Sequence, residues 1–144
     1  MADGHATARV PLQLSRNCIV ASIQVELSDV VLAQFRADLL EMLQRSNAGA
    51  VILDVSGLEL MDLVEFQALR DTMNMAALMG ARTIFAGFRA GVVSALVELD
   101  AAVEDITAAF NLDAAFALLE SEAEPELDTN EADTPDEEPV SDDE

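Results

Sequence analysis

The sequence predicts an α/β fold with five strands and four helices in the order β-β-α-β-α-β-α-β-α. Short apolar runs alternate with amphipathic helical segments, and glycines or capping residues separate them. Residues 50–55 are continuously apolar up to Asp54, as expected of a central strand that is buried on both faces, and residues 82–87 are predicted to form another buried strand. Strands that alternate with helices imply right-handed crossovers and a mixed, mostly parallel sheet, in which an opening hairpin adds one antiparallel edge.

The opening hairpin comes first. Residues 10–14 alternate between apolar and polar side chains, and Pro11 is tolerated there because the strand lies at an edge. Arg16 and Asn17 are predicted to make the turn, and residues 18–24 to form the second strand.

A first helix is predicted from the capping pair Ser28 and Asp29 to about Ser46, with Asn47 and Gly49 ending it. Its apolar side chains recur at helical spacing and should face the core: Val31, Leu32, Phe35, Leu39, Met42 and Leu43.

A second helix is predicted from Asp62, as its N-cap, to Met79, and Gly80 ends it. Glu65 lies three residues after Asp62, which is the spacing of a capping box. The predicted core stripe holds Phe66, Leu69, Met73 and Ala76. The opposite, polar stripe holds Leu63, Gln67, Arg70 and Asn74, so Leu63 is predicted to be an apolar residue at an exposed helix start.

The rest of the chain predicts a short third helix over residues 91–99, a last strand over 106–110 and a terminal helix ending at residue 119. We therefore expect a folded domain over residues 10–119, with a flexible N-terminus over 1–9. Residues 120–144 carry 13 acidic residues and no basic ones, and predict an acidic disordered tail.

Charge and hydropathy exclude several classes of partner. The chain has 28 acidic and 7 basic residues, a net charge of −21, so the basic surface that nucleic acids require is missing. No signal segment and no apolar run of about 18 residues occurs, so we expect no membrane span and a cytoplasmic location.

The residues also argue against catalysis. All seven basic residues are arginine, and the single histidine, His5, lies in the predicted flexible lead. Asp54 at a strand end could suggest a phosphoacceptor or, with Asp62, a magnesium site, but backbone hydrogen bonding and capping explain both carboxylates more simply. Cys18 is expected to be a buried apolar residue. We expect a non-enzymatic binding module without metal or cofactor.

Several segments resemble one known family. Residues 51–57 (VILDVSG), 61–62 (MD) and 78–82 (LMGAR), together with 22–27 (SIQVEL) and 95–99 (ALVEL), resemble the STAS domain of bacterial anti-sigma-factor antagonists at matching spacing. Within that family the chain most resembles the small single-domain scaffold proteins of stressosomes.

The resemblance implies a mechanism of switching by phosphorylation. In the family a serine/threonine kinase phosphorylates a hydroxyl just after the aspartate at the start of the second helix. The proteins assemble with sensor-bearing (R-type) paralogues into a scaffold that sequesters the kinase. The resemblance therefore implies a homo- and hetero-oligomeric stress-signalling module that binds these two partners.

This chain departs from the family at the phosphoacceptor position, where Leu63 has no hydroxyl group. Three explanations are open. Leu63 could pack at a constitutive interface of a kinase-insensitive copy, the switch could lie at another hydroxyl (Ser56, or less favourably the mid-helix Thr72), or the leucine could be an engineered or drifted residue without meaning.

The leading interpretation is a protein-interaction module whose interface residues are Asp62, Leu63, Gln67 and Arg70. The alternative is a STAS regulatory domain that responds to a small molecule or nucleotide. For that alternative the sequence offers only Gly57 and Gly87 at strand ends and no basic cluster.

Overall fold

The computed structural model describes residues 9–123. The elements are β1 (Leu12–Ser15), β2 (Cys18–Ser22), α1 (Asp29–Ser46), β3 (Ala50–Asp54), α2 (Leu63–Leu78), β4 (Arg82–Ala86), α3 (Ala90–Glu98), β5 (Ala108–Ala109) and α4 (Leu112–Ala123). The predicted element order and the α/β class are confirmed. Within this part of the chain no helix combines the length and the apolar character needed to cross a bilayer.

The five strands form one sheet in the order β1-β2-β3-β4-β5. β1 pairs with β2 in antiparallel fashion, and every other neighbouring pair is parallel. Because β2, β3 and β4 all run the same way, the loops that follow them meet at one edge of the sheet. That edge carries the β3–α2 and β4–α3 loops.

The side chains of the central strands alternate between two cores, as the pleat of a strand requires. One core holds Val51 and Leu53 with the buried faces of α1, α2 and α3, and the other holds Ile52 with α4. The sheet therefore lies between three helices on one face and one on the other. Apolar side chains on both faces of β3 explain why this strand reads as continuously hydrophobic.

The turn predicted between β1 and β2 and the caps predicted for α1 are present. Arg16 and Asn17 both have positive φ, 55° and 61°, as a two-residue type I′ hairpin turn requires. Ser28 caps α1, its hydroxyl accepting a hydrogen bond from Val31 N at 3.2 Å. Asn47 ends that helix in the left-handed conformation with φ 57°.

The predicted last strand over residues 106–110 was too long. Only Ala108 and Ala109 pair with β4, and Phe110 is exposed. Asn111 caps the start of α4, because its side-chain oxygen accepts a hydrogen bond from Ala114 N at 2.8 Å. The chain therefore turns away from the sheet edge after two residues.

The predicted end of the terminal helix at residue 119 was also wrong, because α4 continues to Ala123. Arg82 Nε and Nη2 donate to Glu122 Oε1 and Oε2 at 2.8 and 2.9 Å, and Arg16 Nη1 lies 3.7 Å from Glu120 Oε2. These contacts join the last turn of α4 to the sheet. The remaining predicted tail, residues 124–144, and residues 1–8 of the predicted flexible lead lie outside the described residues.

Candidate functional site

The start of α2 is built by a complete capping box. Asp62 Oδ1 accepts a hydrogen bond from Glu65 N at 2.7 Å, and Glu65 Oε1 accepts one from Asp62 N at 3.1 Å. Two backbone donors that would otherwise lack partners are thus satisfied, and the helix begins at Leu63. The cap predicted from the sequence is confirmed in both of its hydrogen bonds.

Leu63 itself is half-buried and does not belong to the hydrophobic core. The expectation of a leucine wholly on the outer face is therefore met only in part. Its two apolar neighbours protrude further, since Leu60 is 83% exposed and Val64 is 68% exposed. The start of α2 thus presents three aliphatic side chains, of which only Leu63 was predicted from the sequence.

The signal for Val64 was available in the sequence. Positions 64 and 71 lie seven residues apart on the same helical stripe, and Asp71 is a residue expected on a solvated face. Leu60 precedes the helix, so helical periodicity says nothing about it.

The four predicted interface residues do not form one uniformly exposed ridge. Asp62 and Gln67 are exposed, but Arg70 is only half-exposed because its guanidinium binds Asp105, with Nη2 3.2 and 3.0 Å from the two carboxylate oxygens. The hydrogen bond from Arg70 lowers the pKa of the Asp105 carboxyl. Arg70 Nε is buried without a hydrogen-bond partner among the described residues. The arginine therefore joins α2 to the α3–β5 segment and is not a free cation.

The β3–α2 loop beside this helix start is held from two sides. Asp54 Oδ1 accepts a hydrogen bond from Ser56 N at 3.0 Å, which confirms the expected role of that carboxylate. Arg89 Nε donates to Ser56 O at 2.8 Å. The loop also needs Gly87, because a Cβ built there lies 2.8 Å from Ser56 Cβ. The exposed Ser56 is thus displayed on a well-anchored loop.

The two hydroxyls considered as alternative phosphorylation sites differ in access. Ser56 is exposed in the loop before α2. Thr72 is buried, at 2% exposure, so a kinase cannot reach it in the folded chain.

A cleft of about 550 Å³ adjoins the capping box. It lies between the β2–α1 loop, the β3–α2 loop and α3, and its charged lining residues are all acidic: Glu26, Asp62 and Glu65. An anionic ligand would be repelled there. Among residues 9–123, no group of three or more histidine, cysteine, aspartate or glutamate side chains is arranged to hold a metal ion.

The remaining candidate for chemistry, Cys18, is buried in β2, as expected. Burial raises the pKa of its thiol to about 11, so the nucleophilic thiolate is scarce at neutral pH. The single histidine, His5, lies outside the described residues.

Comparison with known proteins identifies the family. The sequence profile of the STAS domain matches residues 9–124. RsbS from Moorella thermoacetica with a serine-to-glutamate substitution has a similar structure, with a TM-score of 0.70 and 24% identity over 81% of this chain and 98% of that one. No curated protein matches this chain in sequence.

Two further structures share the fold. A chain from the structure of the stressosome, described as a signal integration and transduction hub, has a TM-score of 0.68 and 21% identity over 80% of this chain and all of that one. A candidate anti-sigma factor antagonist of Thermotoga maritima has a TM-score of 0.63 and 12% identity over 77% of this chain and 94% of that one. Since the family profile spans most of the sequence, the chain belongs to the STAS domain family.

Proposed function

We propose that this chain is a non-catalytic, cytoplasmic scaffold and anti-sigma-factor antagonist of the RsbS type, working in a stressosome-like assembly. Its partners are a serine/threonine switch kinase and a sensor-bearing (R-type) STAS paralogue. The assembly contains several copies of this chain together with copies of the paralogue. The observation that carries the proposal is the leucine directly after the capping aspartate of α2, at the position where the family resemblance implies a phosphorylated hydroxyl.

The contact surface consists of Asp62, Leu63 and Gln67, with Leu60 and Val64 extending it. Leu60 and Val64 are exposed, and Leu63 is half-exposed, so a partner would bury aliphatic surface that the isolated chain leaves in water. Arg70 belongs to the proposed surface as half of its ion pair with Asp105, and contributes shape and hydrogen bonding more than free charge.

With leucine at position 63, this surface cannot be switched by phosphorylation at that position. A phosphate group at the start of α2 would add roughly −1.5 to −2 charges, which would be repelled by Asp62 and Glu65 and would lose hydration in the partner's apolar contact. Leu63 cannot receive that group. The proposed interface is therefore constitutive, and the kinase would be held through a contact that it cannot itself release at this position.

Incubation with its cognate serine/threonine kinase and ATP, followed by intact-mass measurement, tests the absence of a switch. We expect no gain of a phosphoryl group in the unmodified chain and one gain in Leu63→Ser. Phosphorylation of the unmodified chain would contradict a kinase-insensitive copy. If Ser56→Ala then abolished it, the switch would lie in the β3–α2 loop.

Binding to the sensor paralogue tests the surface. Leu63→Glu places a charge in the contact and should weaken association by about 1–3 kcal/mol, as measured by calorimetry, while the folded content stays unchanged. Leu78→Glu is the matched control, since Leu78 is exposed at the opposite end of the same helix. Equal losses in the two variants would contradict the proposed location.

The alternative of a nucleotide-responsive domain finds less support. The cleft beside α2 has the size of a small-molecule pocket, but its charged lining is acidic and would repel phosphate groups. A thermal-shift measurement with ATP and GTP distinguishes the two functions, and a substantial rise in melting temperature would favour the alternative.

A further inference from the structure

A second apolar surface lies between α3 and the segment that leads to β5. It forms a groove of about 180 Å³ whose lining is apolar throughout: Phe66, Phe88, Val93, Leu96, Val97, Val103, Ile106 and Ala108. Its outer wall is in water, since Val97 is 65% exposed and Val93 and Val103 are also exposed.

The bottom of the groove is a packed aromatic cluster. The ring of Phe88 lies 6.4 Å from that of Phe66 and 5.5 Å from that of Phe85, measured between ring centroids. Phe66 and Phe85 are buried, so the floor is held by the core and should keep its shape when empty.

The size of the groove indicates what fits in it. A cavity of about 150 Å³ accepts a benzene molecule, whereas pockets for drug-sized ligands occupy roughly 300–1,000 Å³. A groove of about 180 Å³ therefore suits one leucine or phenylalanine side chain better than a whole metabolite. Apolar side chains of a partner helix anchor it in hydrophobic grooves of this kind.

The charge beside the groove selects the partner. The segment from α3 to β5 carries Glu98, Asp100, Glu104 and Asp105, and residues 90–105 include no basic residue. Arg70 binds Asp105 and Arg89 donates to Ser56 O, so the charge that these two arginines leave beside the groove is that of Glu98, Asp100 and Glu104.

Two occupants from this protein are disfavoured by like charge. The chain after residue 123 has eleven acidic residues and no basic one, and would be repelled by the acidic segment. A second copy that docked symmetrically would place the same acidic residues against each other. We propose that this groove binds a different protein, which inserts one leucine or phenylalanine flanked by lysine or arginine residues.

Two synthetic helical peptides with identical leucine positions test the proposal, one with lysines on its polar face and the other with glutamates. The full chain is titrated with each, and binding is measured by calorimetry and mapped by amide chemical shifts. We expect the lysine peptide alone to bind, with shifts at residues 93–108 and an affinity that falls as salt is added.

Substitutions locate the contact. Val97→Asp should weaken binding of the lysine peptide by about tenfold or more, a loss of about 1.4 kcal/mol. Val30→Asp is the matched control, because Val30 is an exposed valine (72%) at the start of α1. Glu104→Lys should weaken binding more than Glu41→Lys, and this pair keeps the test valid if Val97→Asp does not fold.

Four results would overturn the proposal. They are equal binding of the two peptides, no binding of either, equal losses in Val97→Asp and Val30→Asp, and light scattering that shows a dimer dissociated by Val97→Asp. The last result would assign the groove to a second copy. None of these results bears on the surface at the start of α2, so the proposed function is tested separately.

Discussion

Replacement of Gly87 by alanine should destabilise the fold through a contact between two loops of the candidate site. Gly87 follows β4 with φ +85°, a conformation that residues with a Cβ rarely adopt. A Cβ there would lie 2.8 Å from Ser56 Cβ and 3.2 Å from Ser56 N. Ser56 cannot easily retreat, because Asp54 holds its N–H and Arg89 holds its carbonyl oxygen.

The expected loss of unfolding free energy in Gly87→Ala has two parts. The left-handed backbone costs a residue with a Cβ roughly 1–2 kcal/mol. Inserting a methyl group into occupied space typically costs a further 1–3 kcal/mol. We therefore expect Gly87→Ala to lower the free energy of unfolding by about 2–5 kcal/mol.

Gly80 provides the matched control. It also has positive φ, +96°, but a Cβ built on it meets nothing within 4 Å. Gly80→Ala should therefore lose only the backbone part, roughly 1–2 kcal/mol.

Urea unfolding of residues 1–144, followed by circular dichroism, measures both changes. The difference between the two variants reports the contact with Ser56. Equal losses would refute the reasoning, since they would mean that the β3–α2 loop moves aside without cost. A loss at Gly80 larger than at Gly87 would contradict the assignment of the crowded glycine.

Three further changes can be measured. Asp62→Ala removes the cap that binds Glu65 N and should cost about 1 kcal/mol of unfolding free energy by urea titration, whereas no loss would mean that water replaces the cap. Arg70 lowers the pKa of Asp105, so the pair stabilises the fold above the ordinary aspartate pKa of about 4 and this contribution is lost as pH falls through the folded value. The stability difference between the unmodified chain and Asp105→Asn should therefore shrink between pH 7 and about pH 3, and a constant difference would contradict the ion pair. Because burial raises the thiol pKa of Cys18 to about 11, iodoacetamide should label it slowly in the native chain at neutral pH and rapidly in urea, and fast native labelling would contradict its burial.

The sequence could predict the elements whose signals are local. The caps of α1 and α2 depend on residues three positions apart, Ser28 with Val31 and Asp62 with Glu65, and both were predicted correctly. The parallel order also followed from alternation of strands and helices, because crossover connections leave few alternatives.

The features that sequence could not predict depend on contacts between distant residues. Arg70 was placed on the exposed polar stripe of α2, and its ion pair could not be foreseen because the partner, Asp105, lies 35 residues later. The end of α4 was misplaced for the same reason, since Glu122 looked like part of an acidic tail until it was seen beside Arg82, 40 residues earlier. A helical stripe likewise cannot distinguish an exposed position from the half-buried one that Leu63 occupies.

The start of α2 separates two physical requirements. Asp62 and Glu65 satisfy two backbone donors at the helix start, Asp62 N and Glu65 N, and the side chain at position 63 takes no part in that capping. A half-exposed position outside the core carries little of the folding energy, and substitutions at such positions usually change stability by about 0.5 kcal/mol or less. Leucine and serine at position 63 should therefore give the helix nearly the same stability, but only serine offers a kinase a hydroxyl group. The residue at position 63 therefore determines the chemistry of the surface, and it can change without loss of the capping box that starts the helix.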